Sequence, residues 1–240
     1  MSKKSIHIVQ LYPNDMNIYG DEGNVLVLKR RLEWHGYEPT VTQYNVGDTF
    51  PKNVDIIIGG GGQDSGQLKI YKDLLKLKPT LHELAKNGTP MLAVCGLYQL
   101  FGRFFQTATN EKIDGIGILD IETHATNERL IGNVVSESKD FGEIIGYENH
   151  SGQTTVGPQA QPLAKVIKGA GNNSSDGHEG ARIHNVIGTY LHGSILPKNP
   201  ILADWLIETA VKNRYGSFEP QVIDDLFADI ARDIAKSRPR

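Results

Sequence analysis

The sequence predicts an α/β protein with a mostly parallel central sheet in three layers, and two patterns support this prediction. In the first hundred residues short apolar strands alternate with helical segments, which is typical of parallel strands joined by crossover helices. Several strands are continuous runs of apolar, often β-branched residues, as expected for strands buried on both faces. The length of 240 residues fits one large domain that spans residues 1–240.

Composition and charge exclude several kinds of protein. The formal net charge is -3, so no basic excess points to nucleic acid or an anionic membrane as the main partner. The single cysteine excludes an internal disulfide framework and a multi-cysteine zinc site, and favours a reducing compartment. No stretch approaches the roughly 20 apolar residues of a membrane span, and the first residues are too polar for a secretory signal. We therefore expect a cytoplasmic protein.

The first half of the chain supplies the strands and helices of the expected parallel sheet. A loop of turn-forming residues, 12–24, follows the first strand. Asn24 is the expected cap of a helix that Gly36 ends, and Pro79 is expected to begin a new helix. The other predicted elements are strands at 5–11, 40–44, 54–58 and 91–94 and helices at 68–76 and 79–86.

The second half is predicted to be rich in strands before helices return. Between two of the strands, residues 169–180 are dominated by glycine and small polar residues, which predicts a hairpin tip or a mobile loop. The predicted strands are 116–123, 130–137, 142–147, 163–167 and 186–190, and the predicted helices are 200–215 and 222–236.

Cys95, the only cysteine, lies where the apolar strand 91–94 turns at once into a helix. A helix N-terminus carries partial positive charge that can stabilise a thiolate. The carboxyl ends of strands are also where open α/β sheets place their functional sites. A lone cysteine is otherwise most often a small core residue. Cys95 is therefore a candidate nucleophile that needs a base.

His192 is the histidine best placed to be that base. It ends the apolar run 186–191, so it and Cys95 lie at the same edge of the sheet if the two strands are parallel. A nucleophile and a base that are distant in sequence but close in space are the expected pattern of a Cys-His site. His150 is the competing candidate, in a segment that otherwise resembles a hairpin turn with solvent-facing polar residues.

Two further features carry possible chemistry. Four consecutive glycines, Gly59–Gly62, follow a buried strand, so their amides are free to approach a ligand or to line an oxyanion hole. The alternative is a tight turn, and the absence of a following Gly-Lys-Ser/Thr argues against a phosphate loop. Arg129 precedes a strand and is either a solvated surface charge or a fork for a substrate carboxylate.

The segments around these residues resemble class I glutamine amidotransferases. Ala93–Gln99 resembles their nucleophile motif, in which a glycine-rich turn surrounds the cysteine and a glutamine lies four residues on, and Gly59–Gly62 resembles their oxyanion strand. Residues 146–150 and 188–193 are similar to the cobyric-acid-synthase-like branch, and within it to small stand-alone glutaminase subunits. The other segments that carry this resemblance are 19–24, 141–142, 169–173 and 191–199.

The resemblance implies the three-layer class I amidotransferase fold and a role for each candidate residue. Glutamine hydrolysis in this family proceeds by thiolate attack on the side-chain amide, a tetrahedral oxyanion, release of ammonia and hydrolysis of a thioester. The implied catalytic pair is Cys95 and His192. The implied substrate-binding residues are Arg129, Gln99 and, at the oxyanion, the amides of Gly61, Gly62 and Gly96.

The resemblance also implies partners. Ammonia would pass to a Mur-ligase-like partner, MurT, which activates the D-glutamate α-carboxyl of lipid II, so the complex would work at the inner face of the membrane. No cofactor or metal is expected in this chain, because ATP and magnesium would bind the partner. Two alternatives stay open: a glutaminase with another acceptor, such as a corrinoid carboxylate, and a non-catalytic scaffold subunit on the same fold.

The sequence departs from the family pattern at two positions. Leu97 replaces the glycine that usually lies two residues after the cysteine, and Ser194 replaces the glutamate that usually lies two residues after the histidine. The second departure leaves the third catalytic member unassigned. Glu148 and Asp21 are the candidates, because a carboxylate is needed to hold the imidazole tautomer.

Overall fold

The computed structural model describes residues 3–239, whose strands form two six-stranded sheets. The strands of the first sheet are β1 (Ser5–Leu11), β2 (Glu38–Tyr44), β3 (Ile56–Gly59), β4 (Met91–Val94), β11 (Ala181–Ile183) and β12 (Val186–Thr189). Those of the second are β5 (Phe104–Gln106), β6 (Lys112–Asp114), β7 (Ile121–Ser138), β8 (Gly142–Val156), β9 (Ala164–Lys168) and β10 (His178–Glu179). The helices are α1 (Glu22–Trp34), α2 (Asp64–Lys86), α3 (Gly96–Phe101), α4 (Pro200–Tyr215) and α5 (Leu226–Ser237).

The first sheet confirms the predicted α/β class with a mostly parallel sheet. Its strand order is β11-β12-β4-β3-β1-β2, and every neighbouring pair is parallel except the edge pair of β11 and β12. Every residue of β3, β4 and β12 is buried, as expected for central strands covered on both faces. The apolar runs in the sequence therefore become the core of this sheet.

The second sheet is largely antiparallel and corrects several predicted boundaries. The end of the predicted strand 116–123 and the whole of 130–137 belong to one long strand, β7, which begins at Ile121 and pairs with β8 almost throughout, whereas 116–120 are not strand. An irregularity in the pairing between Ala125 and Leu130 accommodates the intervening polar residues, so they do not separate the two parts. Strand β8 extends to Val156, far beyond the predicted 142–147, and the short strands β5, β6, β10 and β11 were not predicted.

Helix α2 is continuous, so the prediction of a new helix at Pro79 is wrong. The buried residues Ile70, Leu74, Leu77 and Leu81 form one stripe that passes the proline without interruption. Burial of this stripe favours a single helix. Pro79 itself is exposed, so the carbonyl group that loses its helical partner can bind water.

Two other helix boundaries differ from the prediction. Asn24 lies inside α1, which begins at Glu22, and its Oδ1 accepts a hydrogen bond from the Leu196 amide at 2.9 Å. Asn24 therefore fastens a distant loop instead of capping the helix. Helix α5 begins at Leu226 and not at Val222, whose side chain is fully exposed. The predicted stop at Gly36 is confirmed, since α1 ends at Trp34 and Gly36, two residues later, has a φ of +87°.

The parallel register brings three strand ends together at one edge of the first sheet. Val94 of β4 lies opposite Thr189 of β12, and Gly59 of β3 lies opposite Ala93. The segments that follow these strands, which contain Cys95, His192 and the glycine run, are therefore neighbours. Within residues 3–239, none of the helices combines the length and the apolar character that crossing a bilayer requires.

Candidate active site

Cys95 occupies a strained turn between β4 and α3. Its backbone has φ 51° and ψ −106°, an unusual conformation for a residue with a Cβ. Hydrogen bonds on both sides hold it: the Cys95 amide donates to the Thr189 carbonyl at 2.8 Å, and the Gln99 amide donates to the Cys95 carbonyl at 3.1 Å. Strain of this kind persists only where the surroundings enforce it, and it is concentrated at functional sites.

The thiol of Cys95 is protonated in this state, contrary to the sequence-based expectation of a stabilised thiolate. Burial raises its pKa to about 12, and the nearby carboxylate of Asp21 contributes to the rise. The Gly96 amide, which hydrogen-bonds the sulfur, and the guanidinium of Arg129 act in the opposite direction. Burial has the largest effect on the thiol pKa, and the N-terminus of α3, a helix of only six residues, does not offset it.

His192 lies at the same edge of the sheet, as predicted. Its amide donates to the Tyr147 carbonyl at 2.9 Å, which ties it to β8. Burial lowers the pKa of the imidazole to about 4, and a hydrogen bond with the Asn149 backbone carbonyl opposes this effect. The imidazole is therefore neutral at pH 7, the form that a general base requires. Among residues 3–239, nothing hydrogen-bonds its buried Nε2.

The two carboxylates considered as a third catalytic member both have other partners. The carboxylate of Glu148 accepts hydrogen bonds from the amides of Ala170 and Gly171 at 2.9 and 2.7 Å. That of Asp21 accepts one from the Gly61 amide at 2.7 Å. The charge of Glu148 raises the His192 pKa, and the Asn149 carbonyl, which hydrogen-bonds the ring, raises it as well. The assignment of Glu148 or Asp21 as a third catalytic member stays a prediction.

His150, the competing base, is held in a different environment. Its ring stacks on Tyr190 with centroids 3.6 Å apart, and its Nδ1 donates to the Gly152 carbonyl at 2.7 Å. Its Nε2 faces the Glu148 carboxylate at 3.8 Å. These contacts fix the ring in the wall of the site.

The predicted oxyanion donors are not equivalent. A Cβ on Gly61 would lie 3.0 Å from the Cβ of Cys95, so glycine permits a close approach that a side chain would crowd. The Gly61 amide, however, is occupied by Asp21. The Gly62 amide lies beside Gly96, and Gly62 lines the cavity that contains Cys95. Of the three predicted donors, Gly62 is thus the one that lines the cavity, whereas the Gly61 amide is bound to Asp21 and the Gly96 amide to the Cys95 sulfur.

A cavity of about 420 Å³ joins Cys95 to Arg129. This volume is in the usual range for small-molecule sites. Arg129 lies in the irregular stretch of β7, and its Nε donates to Asn149 Oδ1 at 2.8 Å. The cavity therefore has a thiol at one position and a guanidinium at another. The remaining lining residues are Tyr19, Gly62, Gln63, Asp64, Ser65, Gln67, Gln99, Phe105, Ala108, Ala125, Thr126, Asn149, His150, Ser151 and Gly152.

Gln99, predicted to bind substrate, lines this cavity and is held by neighbours that sequence reasoning missed. Its Oε1 accepts a hydrogen bond from Gln67 Nε2 at 2.7 Å, and its Nε2 donates to the Tyr190 hydroxyl at 3.1 Å. Gln67 also donates to the Gly96 carbonyl at 3.0 Å. No local signal identifies Gln67, because its partners lie some thirty residues further along the chain.

Tyr19 is the second residue that sequence reasoning missed. Its ring stacks on His192 with centroids 3.9 Å apart and an interplanar angle of 15°. Burial raises the pKa of its hydroxyl, and Arg129, which hydrogen-bonds the hydroxyl, opposes the rise. The available signal was its position in the loop after β1, at the same edge of the sheet as the other candidates.

The two departures from the family pattern have structural explanations. The Leu97 side chain is fully buried and fills the space that the missing Cβ of Gly59 leaves. Ser194 has a φ of +52°, and its hydroxyl donates to the Gly20 carbonyl at 2.6 Å. Ser194 therefore fastens the loop that carries Tyr19 and Asp21.

The chain is similar to known glutamine amidotransferases. A family model described as the CobB/CobQ-like glutamine amidotransferase domain matches residues 7–200. The GatD subunit of lipid II isoglutaminyl synthase (glutamine-hydrolyzing) from Staphylococcus aureus (strain N315) is 39% identical over 220 residues, covering 91% of this chain and 89% of that protein. The GatD subunit from Streptococcus pneumoniae (strain ATCC BAA-255 / R6) is 40% identical over 214 residues, covering 88% and 82%.

A solved structure described as a glutamine amidotransferase supports the fold. It superposes with a TM-score of 0.58 at 16% identity and covers 84% of this chain and 98% of its own. The strand order, the turn at Cys95 and the family match over residues 7–200 therefore all indicate the same kind of domain. The chain belongs to the family of CobB/CobQ-like glutamine amidotransferase domains.

Proposed function

We propose that this chain is the glutamine-hydrolysing subunit of an enzyme that amidates the peptidoglycan precursor lipid II. The observation that carries the proposal is the cavity that joins Cys95, at its strained turn, to the guanidinium of Arg129. Two relatives that cover 91% and 88% of the chain are GatD subunits of lipid II isoglutaminyl synthase, which supports this acceptor over a corrinoid.

The proposed reaction begins when glutamine places its side-chain amide at Cys95. Arg129 binds the α-carboxylate through charge-assisted hydrogen bonds. Cys95 Sγ gives its proton to His192 and attacks the amide carbon, and the amides of Gly96 and Gly62 bind the oxyanion. The imidazolium returns the proton to the leaving nitrogen, and ammonia departs. Water, activated by His192, hydrolyses the thioester and releases glutamate.

The free chain is not yet arranged for this proton transfer. The pKa of the thiol is about 12 and that of the imidazole is about 4, so transfer from Cys95 to His192 is unfavourable. Tyr19 also covers the imidazole. We expect bound glutamine and the partner subunit to displace Tyr19 and to bring the two groups together, so hydrolysis is faster in the complex than in the free chain.

The acceptor chemistry belongs to the partner in this proposal. The partner is a Mur-ligase-like subunit, MurT, which activates the D-glutamate α-carboxyl of lipid II with ATP and magnesium, and ammonia then gives D-isoglutamine. The complex works at the cytoplasmic face of the membrane, where lipid II is accessible. The glycine run of this chain is not followed by Gly-Lys-Ser/Thr, in agreement with an ATP site elsewhere.

Replacement of the nucleophile tests the proposal. We expect Cys95→Ala to abolish glutamine-dependent ammonia release, and Ser136→Ala, a change in the second sheet away from the cavity, to retain it. Amidation of lipid II by the complex should fail with glutamine and persist with added ammonium when Cys95 is replaced. Undiminished ammonia release by Cys95→Ala would end the proposal, and transfer to a corrinoid but not to lipid II would change the acceptor.

A further inference from the structure

The cavity wall carries one carboxylate in addition to its guanidinium. Of the residues that line it, Asp64 is the only acidic one and Arg129 is the only arginine or lysine. Asp64 is the first residue of α2, two positions after the last residue of the glycine run, and it is exposed and lines the cavity. Both charges lie near enough to Cys95 to act on the thiol pKa, which Asp64 raises and Arg129 lowers.

The other carboxylates near the site are committed elsewhere. Asp21 is buried and bound to the Gly61 amide, and Glu148 is buried and bound to the amides of Ala170 and Gly171. Neither is part of the cavity wall. Asp64 is therefore the anion that a ligand with a positive group meets when it reaches Cys95.

Free glutamine is a zwitterion, so its α-carbon carries one group of each charge. A ligand whose amide carbon lies at Cys95 and whose α-carboxylate lies at Arg129 still has an α-ammonium group to satisfy. An ammonium group that loses water without gaining an acceptor is costly to bind. A carboxylate on the same wall provides that acceptor.

We propose that Asp64 binds the α-ammonium group of glutamine, so that Asp64 and Arg129 together select the free amino acid over amides that lack the amino group. The inference deepens the proposed function and rests on it. Asp64 is a specificity-determining residue in this arrangement, because the ammonium group takes no part in the bond changes at the amide carbon.

The experiment compares two substrates on two variants of the full chain with its synthetase partner. Glutamine has the α-ammonium group, and glutaramic acid is the same molecule without it. We expect Asp64→Asn to raise the KM for glutamine about tenfold, which corresponds to about 1.4 kcal/mol, with little change in kcat. The KM for glutaramic acid should stay within about twofold, because that substrate has no ammonium group to lose its partner.

The matched control is Asp233→Asn, since the Asp233 side chain is 80% exposed on α5, outside the cavity wall. It should leave both KM values unchanged. Equal effects of Asp64→Asn on the two substrates, or no effect on glutamine, would overturn the inference while leaving the proposed function intact. Absence of ammonia release from wild-type protein would instead overturn the proposed function. Ammonia release by the wild type is therefore measured first, before the variants are compared.

Discussion

At the scale of single residues, some groups in the site favour the thiolate of Cys95 and others disfavour it. Cys95 and His192 are both buried, and both are neutral at pH 7 because burial raises the pKa of the thiol and lowers that of the imidazole. Asp21 contributes to this state in two ways: it occupies the Gly61 amide, and its charge disfavours the thiolate. Burial also raises the pKa of Asp21 itself to about 6, so it is charged above that pH.

Asp21→Asn tests the electrostatic part of this description. Above pH 6 the wild-type carboxylate is ionised and holds the Cys95 pKa up. The variant loses that charge while its Oδ1 can still accept from Gly61, so the thiol pKa falls and the alkylation profile moves to lower pH. The rate of iodoacetamide alkylation at pH 9 should rise on the order of tenfold, the change that one pKa unit produces below the midpoint.

The control for this measurement is Asp233→Asn, which removes an exposed charge on α5 and should leave the profile in place. An unchanged profile in Asp21→Asn would show that burial alone sets the thiol pKa. A shift to higher pH would contradict the assigned sign.

The sequence alone predicted the place in the fold of those candidate residues that follow the end of a strand. Cys95 and His192 follow β4 and β12, and an apolar run that stops at a polar residue is visible in a single segment. Tyr19 and Gln67 were missed because their contacts join segments far apart in sequence. Their roles follow from the register of the sheet, which no single segment encodes.

At the scale of elements, burial decides where local signals fail. Proline predicts a helix start, yet Pro79 lies within α2 because the buried stripe on either side continues in phase. Similarly, the polar run 126–129 predicts a break between two strands, yet pairing with β8 continues across it. Tertiary pairing thus overrides local preference, and the irregularity it leaves in β7 is the stretch that places Arg129 at the cavity.

Pro79→Ala measures how much the proline lowers the free energy of unfolding. The proline is exposed and removes one helical hydrogen bond, so alanine should restore that bond without disturbing the buried stripe. We expect the free energy of unfolding to rise by about 1–3 kcal/mol, the range for an interior helical proline whose backbone has partly relaxed. Urea denaturation with an unchanged m-value checks this expectation, and a lower midpoint would show that α2 depends on the proline.

At the scale of the whole molecule, a buried arginine connects the last segment of the chain to its first helix. The Arg31 side chain on α1 is 5% exposed and pairs with both Asp204 of α4 and Asp225, each at 2.6 Å. The sequence predicted the two C-terminal helices approximately. It did not predict these ion pairs, because Asp204 and Asp225 lie 173 and 194 positions after Arg31. Long-range ion pairs of this kind leave no local pattern.

Helix α5 depends on such polar contacts more than on apolar burial. None of its residues is fully buried, and several of its large apolar side chains, including Phe227 and Ile234, are exposed. Arg232 provides a second attachment, since its guanidinium donates to the Lys198 carbonyl and to the Glu143 carbonyl. The helix should therefore detach without unfolding the two sheets if one attachment is removed.

Asp225→Ala tests this independence. The change removes one of the two carboxylates that Arg31 binds and leaves Asp204 in place, so the guanidinium keeps a partner. We expect trypsin to cleave residues 217–239 at least several-fold faster, because local unfolding controls access to that segment, while the thermal midpoint of the core falls by no more than a few degrees. Asp233→Ala, on the exposed side of the same helix, should leave the cleavage rate near that of the wild type. If cleavage accelerates only together with global unfolding, α5 is part of the cooperative core, and the partial exposure of its apolar side chains does not make it separable.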